Sequence, residues 1–169
     1  MAGEAKYGNR SRSFDCQLNS SQTYASYALD HPDLCKVTAI AEPLPNTQKQ
    51  FADLFDVDSR LVFNTWQDLH AASTETLTTT GKRLADAVIV AVQDRMHLEV
   101  TQAFAKQGYH ILCEKPMATS VEECIKIEQA IKEAGVIFGM CHGEHRLVVN
   151  HFALSNRCSF EIFPLFPTD

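Results

Sequence analysis

The run Asp86-Ala-Val-Ile-Val-Ala-Val92 is the most apolar stretch of this 169-residue sequence. A strand that is apolar on both faces is typical of a parallel sheet, because helices cover such a sheet on both sides. Residues 96–107 then show a helical pattern that is expected to end at Gly108. Residues 109–113 predict the next strand. Strand, helix and strand together predict a βαβ unit with a right-handed crossover.

The same alternation extends to both sides of this unit. It predicts strands at residues 37–41, 61–63 and 136–140, and helices that begin near residues 45, 66 and 121. Thr65 is expected to cap a short helix at 66–72, and Ser120 with Glu123 forms a capping box. Residues 73–81 contain five threonines in nine positions and predict a loop. The ends differ, because residues 1–20 are polar and residues 147–169 show neither helical nor strand periodicity.

Composition argues against several classes of partner. The chain has 15 basic and 21 acidic residues and a formal charge of −6, with no basic stretch, so nucleic acid and anionic membranes are not expected partners. Its apolar runs are too short to span a bilayer, and its start lacks the apolar segment of a signal peptide. We therefore predict a cytoplasmic protein.

The cysteines support the same prediction. Six cysteines are scattered along the chain without a C-x-x-C pair, which is typical of reduced thiols in an intracellular protein. One group of possible metal ligands lacks the paired spacing of a zinc site, and we predict no metal there. Its members are Cys141, His142, His145, His151 and Cys158.

Ligands of open parallel sheets bind at the carboxyl ends of the strands, so the residues that follow each strand are the candidates for function. Glu42 follows the strand at 37–41, where an acidic side chain accepts hydrogen bonds from an adenosine ribose; the alternative is a solvent-facing residue beside a turn. Gln93, Asp94 and His97 follow the strand at 86–92, and His97 alternatively packs on the sheet. Lys115 follows the strand at 109–113 and is suited to stabilise negative charge or transfer a proton, or is an ordinary surface lysine.

Three segments together resemble a known family. Ile111-Leu-Cys-Glu-Lys-Pro-Met-Ala-Thr119 resembles the signature of the Gfo/Idh/MocA family, named for glucose–fructose oxidoreductase, inositol dehydrogenase and rhizopine catabolism. The run from Ala85 to His97 is similar to that family's fourth strand, and Ala39-Ile-Ala-Glu-Pro43 is similar to its second. The order and spacing of all three agree over about residues 22 to 142.

The resemblance implies an NAD(P)-binding domain of Rossmann type. It also implies reversible hydride transfer between nicotinamide and a sugar- or cyclitol-like hydroxyl. The family's catalytic lysine falls on Lys115, with Glu114 and Pro116 beside it at the cofactor. The ribose acid falls on Glu42, which favours NAD over NADP, and the loop after the fourth strand places Gln93, Asp94 and His97 near the cofactor.

The phosphate-binding turn departs from the family pattern. No glycine stands between Gly8 and the helix expected at residues 22–29, so the G-x-G-x-x-G fingerprint is missing. Ser20 and Ser21 are weaker substitutes that can donate hydrogen bonds or cap the helix. The first strand is degenerate as well. Its best candidate, Phe14-Asp-Cys-Gln-Leu18, would place Asp15 or Gln17 in the covered middle of the sheet.

The family also continues into a second α/β domain that shapes the substrate pocket, and only 23 residues follow Arg146 here. We therefore predict a doubly wound α/β fold without this domain, in three segments: a divergent segment at 1–20, a Rossmann-like NAD(P)-binding domain at 21–146 and a divergent tail at 147–169. As function we expect nucleotide binding more than turnover by a truncated oxidoreductase. The alternative is a non-catalytic nucleotide-binding or interaction module, such as a splice variant, that associates with itself or with a full-length homologue.

Overall fold

The computed structural model describes residues 20–141 and 158–163; for residues 20–24 and 158–163 it describes the backbone only. The strands are β1 (Cys35–Ala41), β2 (Val62–Phe63), β3 (Ala87–Val90), β4 (His110–Cys113), β5 (Phe138–Met140) and β6 (Cys158–Phe163). The helices are α1 (Ser20–Asp30), α2 (Pro45–Phe55), α3 (Trp66–Thr80), α4 (His97–Lys106) and α5 (Val121–Ala134). No helix among these residues combines the length and apolar character that a membrane crossing requires.

All six strands form one parallel sheet in the order β2-β1-β6-β3-β4-β5. The chain moves outward in one direction from β1 to β2 and in the other from β3 to β5. The strand order therefore reverses between β1 and β3, where β6 lies. This arrangement confirms the predicted doubly wound α/β fold.

Strand β6 lies in the middle of the sheet, between β1 and β3. Residues 158–163 pair with β1 on one side and with β3 on the other, so that Ile162 is in register with both Ile40 and Ile89. The expectation that residues 147–169 lack strand structure is therefore wrong for β6. The candidate first strand at residues 14–18 lies outside the described residues.

The sheet carries an apolar core on each face. On one face, Phe51 of α2 and Tyr27 of α1 pack with Ile40 and Ile89. On the other, Phe104 of α4 belongs to a cluster that includes Val88, Val90, Leu69 and Tyr109. Alternate residues of β3 thus enter opposite cores, and the whole strand is buried, as its apolar sequence predicted.

Helix α3 is longer than the sequence suggested. It continues through the threonine-rich segment to Thr80, so the predicted loop at residues 73–81 is wrong. Several threonine hydroxyls donate to the carbonyl oxygen four residues earlier, including Thr76 to Ala72 at 2.9 Å and Thr78 to Thr74 at 2.7 Å. These bonds occupy the hydroxyls within the helix, where turn formation would otherwise compete. Gly81, with φ of 70°, ends it.

The predicted caps are confirmed. Thr65 Oγ1 accepts a bond from the Asp68 amide at 3.1 Å at the start of α3. Ser120 Oγ accepts one from the Glu123 amide at 3.2 Å at the start of α5. The Glu123 carboxylate reaches back to the Thr119 amide at 3.0 Å. The strong local signals therefore fixed where these helices begin.

The central position of β6 makes the strand sensitive to proline. Ile162→Pro removes an amide from a strand paired on both sides, and we expect the free energy of unfolding to fall by about 3 kcal/mol. Ile162→Val keeps both the amide and a β-branched side chain, so it is the matched control for the loss of the amide. Urea unfolding followed by circular dichroism measures both. Equal unfolding midpoints for Ile162→Pro and the unmodified chain would show that β6 does not complete the sheet.

Candidate functional site

The carboxyl ends of the strands bring the candidate residues to one edge. Ile40, Ile162 and Ile89 are in register across three strands, and Val90 is in register with Cys113 of β4. Glu42 therefore leaves the sheet beyond β1 on the same edge as Glu114 and Lys115 beyond β4. At roughly 4.8 Å per strand, the three steps from β1 to β4 separate the two ends of this edge by about 15 Å.

Glu42 is buried and incompletely bonded. Its side chain is 0% exposed, and Oε1 accepts a hydrogen bond from the Leu44 amide at 2.7 Å. Oε2 is also buried but has no partner among the described residues. Burial raises the pKa of the Glu42 carboxyl to about 7, although the Leu44 bond acts in the opposite direction. Near neutral pH this group is therefore divided between its protonated and ionised forms.

Gln48 holds the backbone around Glu42 and was not identified from the sequence. Its Nε2 donates to the main-chain oxygens of Glu42 and Phe63, both at 2.9 Å. The Glu42 amide donates to Phe63 O at 2.9 Å as well, so the ends of β1 and β2 are joined. Because Gln48 contacts main-chain oxygens, residue type alone gave no signal for this role.

Lys115 is the exposed cation at the other end of the edge. Its side chain is 64% exposed, and Nζ lies 3.7 Å from Oε1 of Glu114, whose side chain is only 2% exposed. The Lys115–Pro116 peptide bond is cis. The lysine amine is therefore accessible from solvent, beside a buried acidic residue.

The three candidate residues after β3 differ in their exposure to solvent. Gln93 is half-buried and Asp94 is exposed at the start of a 3-10 turn, Asp94–Met96. His97 is fully buried: its Nδ1 lies 2.8 Å from Pro116 O, and its Nε2 lies 3.0 Å from Val92 O. The ring thus contacts the backbone of both loops at this edge.

The remaining predicted residues give less information. Helix α1 begins at Ser20, so Ser20 and Ser21 lie in its first turn. Pro116 is exposed beside Lys115.

Burial raises the pKa of the Cys113 thiol to about 12, which keeps it protonated and unsuited to act as a nucleophile.

The part of the chain that the structure describes contains no candidate metal site. No three His, Cys, Asp or Glu side chains there come together as a metal ion would require. His142, His145 and His151, which the sequence analysis considered, lie outside the described residues.

Comparison with known proteins agrees with this architecture. The sequence model of the oxidoreductase family GFO_IDH_MocA, described as an NAD-binding Rossmann fold, matches residues 18–142. The chain belongs to this family. The match covers the elements from α1 to β5 and does not include β6, so the central strand lies outside the segment shared with the family.

Individual relatives match over short segments. One is 2,7-anhydro-N-acetylneuraminate hydratase of Escherichia coli, 44% identical over 62 residues, which are 37% of this chain and 17% of that protein. Another is inositol 2-dehydrogenase 2 of Saccharopolyspora erythraea, 42% identical over 50 residues, 30% of this chain and 15% of the relative. The matched segments thus amount to less than a fifth of these relatives.

A solved structure shows the same fold. The WlbA dehydrogenase of Bordetella pertussis, in complex with NADH and UDP-GlcNAcA, superposes with a TM-score of 0.58 at 23% identity. The superposition covers 72% of this chain and 31% of that one. The superposition supports the assignment of a Rossmann fold.

The burial of Glu42 predicts how the free energy of unfolding changes with pH. The folded-state pKa of about 7 lies above the ordinary 4.5, so between these values the folded chain retains a proton that the unfolded chain has released. The stabilisation is complete below about pH 4.5 and is lost as pH rises through 7, by about 3 kcal/mol in total. Glu42→Gln lacks this loss. In urea unfolding, we expect it to be more stable than the unmodified chain at pH 8 but not at pH 4.5.

The difference between the two proteins is the quantity to follow, since other groups titrate in both. A constant difference in unfolding free energy from pH 4.5 to pH 8 would contradict the raised pKa of Glu42.

Proposed function

We propose that this chain binds a nicotinamide dinucleotide, NAD in preference to NADP, across the carboxyl edge of its sheet. The observation that carries the proposal is the buried Oε2 of Glu42, which has no partner among the described residues. A ribose diol supplies two hydroxyl donors, and a carboxylate at this position accepts them. The residues present therefore fit the adenosine half of the cofactor.

Charge and burial at Glu42 support the preference for NAD. A 2′-phosphate would bring a second negative charge against a carboxylate that has little access to water, and this repulsion is strong at low dielectric. Because Glu42 is fully buried in the ligand-free chain, the groups that cover it must move aside when the ribose binds. Part of the binding energy offsets this rearrangement, so we expect modest affinity.

Lys115 is the proposed substrate-facing residue. It lies about three strand spacings from Glu42, where the nicotinamide end of an extended dinucleotide would lie. A bound nicotinamide supplies a hydride acceptor or donor. The exposed Lys115 ammonium would hold the oxygen of a sugar- or cyclitol-like hydroxyl, stabilising the negative charge that develops there, or would exchange its proton. The described residues support nucleotide binding more directly than turnover, since Lys115 is the one candidate for acting on a substrate.

Titration with NADH, followed by nicotinamide fluorescence, tests the proposal. We expect saturable binding, weakened about tenfold in Glu42→Gln because a charged acceptor for the ribose is lost. Glu75→Gln, which removes an exposed acid of α3, is the matched control and should bind normally. NADPH should bind more weakly than NADH to the unmodified chain. Absence of NADH binding at millimolar concentration would refute the proposal.

The pH dependence of the same titration tests the role of Glu42 independently. Ribose hydroxyl donors favour the ionised carboxylate, so binding should release a proton. With a pKa of about 7 for Glu42, NADH affinity should rise about tenfold from pH 6 to pH 8. Glu42→Gln should show a much smaller rise. Equal pH dependence in the two proteins would exclude Glu42 from the binding site.

A further inference from the structure

Two loops form the edge between the middle of the sheet and Lys115, and one side chain contacts both. His97 is the first residue of α4, and its ring is fully buried. Its Nδ1 lies 2.8 Å from the carbonyl oxygen of Pro116, in the loop after β4. Its Nε2 lies 3.0 Å from the carbonyl oxygen of Val92, in the loop after β3. The imidazole thus spans the gap between the two loops.

The atoms in these two contacts determine which of them donates the hydrogen bond. Carbonyl oxygens accept hydrogen bonds and do not donate them, so the ring must act as the donor. Both bonds form together only when both nitrogens carry a hydrogen, and a neutral ring makes one of the two. Loss of the ring would leave buried or partly buried carbonyl oxygens without a donor, which is costly.

Lys115 depends on this backbone for its position. Its side chain is mostly solvent-exposed, and Nζ lies at the long distance of 3.7 Å from Glu114 Oε1. These features leave the lysine weakly held by its own contacts. Pro116 is the next residue, and its carbonyl oxygen is the atom that His97 contacts. The placement of Lys115 therefore follows from the placement of the Pro116 peptide.

We propose that His97 is a positioning residue for Lys115: its buried ring spans the loops after β3 and β4 and donates to the Pro116 carbonyl oxygen. The inference rests on the proposed function for the role of Lys115, but the link between the loops can be tested without nucleotide. His97 acts from below the binding edge and supports the residue that faces the ligand.

The test compares His97→Phe, which keeps a ring but removes both donors, with His97→Gln, which restores an amide donor. His110→Gln is the matched control, because His110 Nδ1 accepts a bond from the Ile137 amide at 3.1 Å at the start of β4, the opposite end from Lys115. Hydrogen exchange of the amides at residues 114–119 is measured first without nucleotide, and NADH affinity is measured afterwards on the same proteins.

We expect exchange at residues 114–119 to accelerate about tenfold in His97→Phe, while β1 and α2 keep their protection. NADH affinity should fall about tenfold in His97→Phe and recover in part in His97→Gln. His110→Gln should lose stability without losing NADH affinity. If His97 had a purely structural role, His97→Phe and His110→Gln variants of similar stability would bind NADH equally well.

Unchanged exchange at residues 114–119 in His97→Phe would overturn the proposal, as would an equal loss of NADH affinity in His110→Gln. If the unmodified chain binds no NADH, the proposed function fails, and the exchange data still decide whether His97 links the loops. A second measurement needs no variant: in the folded chain, a ring N–H hydrogen of His97 should be protected from exchange with solvent. Rapid exchange of every His97 ring hydrogen would contradict the link.

Discussion

The sheet depends on a strand at its middle position, between β1 and β3. Residues 158–163 occupy that position and pair in parallel with both neighbours. Without them, β1 and β3 would each present an unpaired row of amides and carbonyls in the centre of the fold, where two helical layers exclude water. The edge that carries Glu42 and Lys115 therefore exists as one continuous edge because β6 completes the sheet.

Spatial order, rather than order along the chain, defines this fold. In a doubly wound sheet the first strand lies in the middle, and the glycine turn that follows it binds phosphate. Here the strand in that position comes after β5, while α1 begins at Ser20. The end of the edge that carries Glu42 and the end that carries Lys115 are both built from the segment that the family shares. The strand between them comes from outside that segment.

Local signals in the sequence predicted most of the fold, and long-range pairing accounts for the rest. The apolar run predicts β3 from a few adjacent residues, and the capping residues predict the start of α5 in the same way. Residues 158–163 alternate apolar and polar residues, as a half-buried strand does, whereas a strand in the middle of a doubly wound sheet is usually apolar throughout. Their central position therefore follows from pairing with β1 and β3 and not from the local pattern. At the site, Glu42 and Lys115 were recognisable from their position after strands. The link made by His97 was not, because its partners Val92 O and Pro116 O are main-chain atoms.

Burial gives Glu42 two linked properties, a protonated form that persists towards neutral pH and a carboxylate oxygen that a ribose diol can satisfy. Both arise at the carboxyl end of β1, which pairs with β6. Hydrogen exchange of the amides at residues 159–163 in the full chain tests this pairing most directly. The structure predicts protection comparable to that of β3, increased further by NADH. Exchange at the rate of an unstructured peptide, with or without NADH, would contradict a site built on β6.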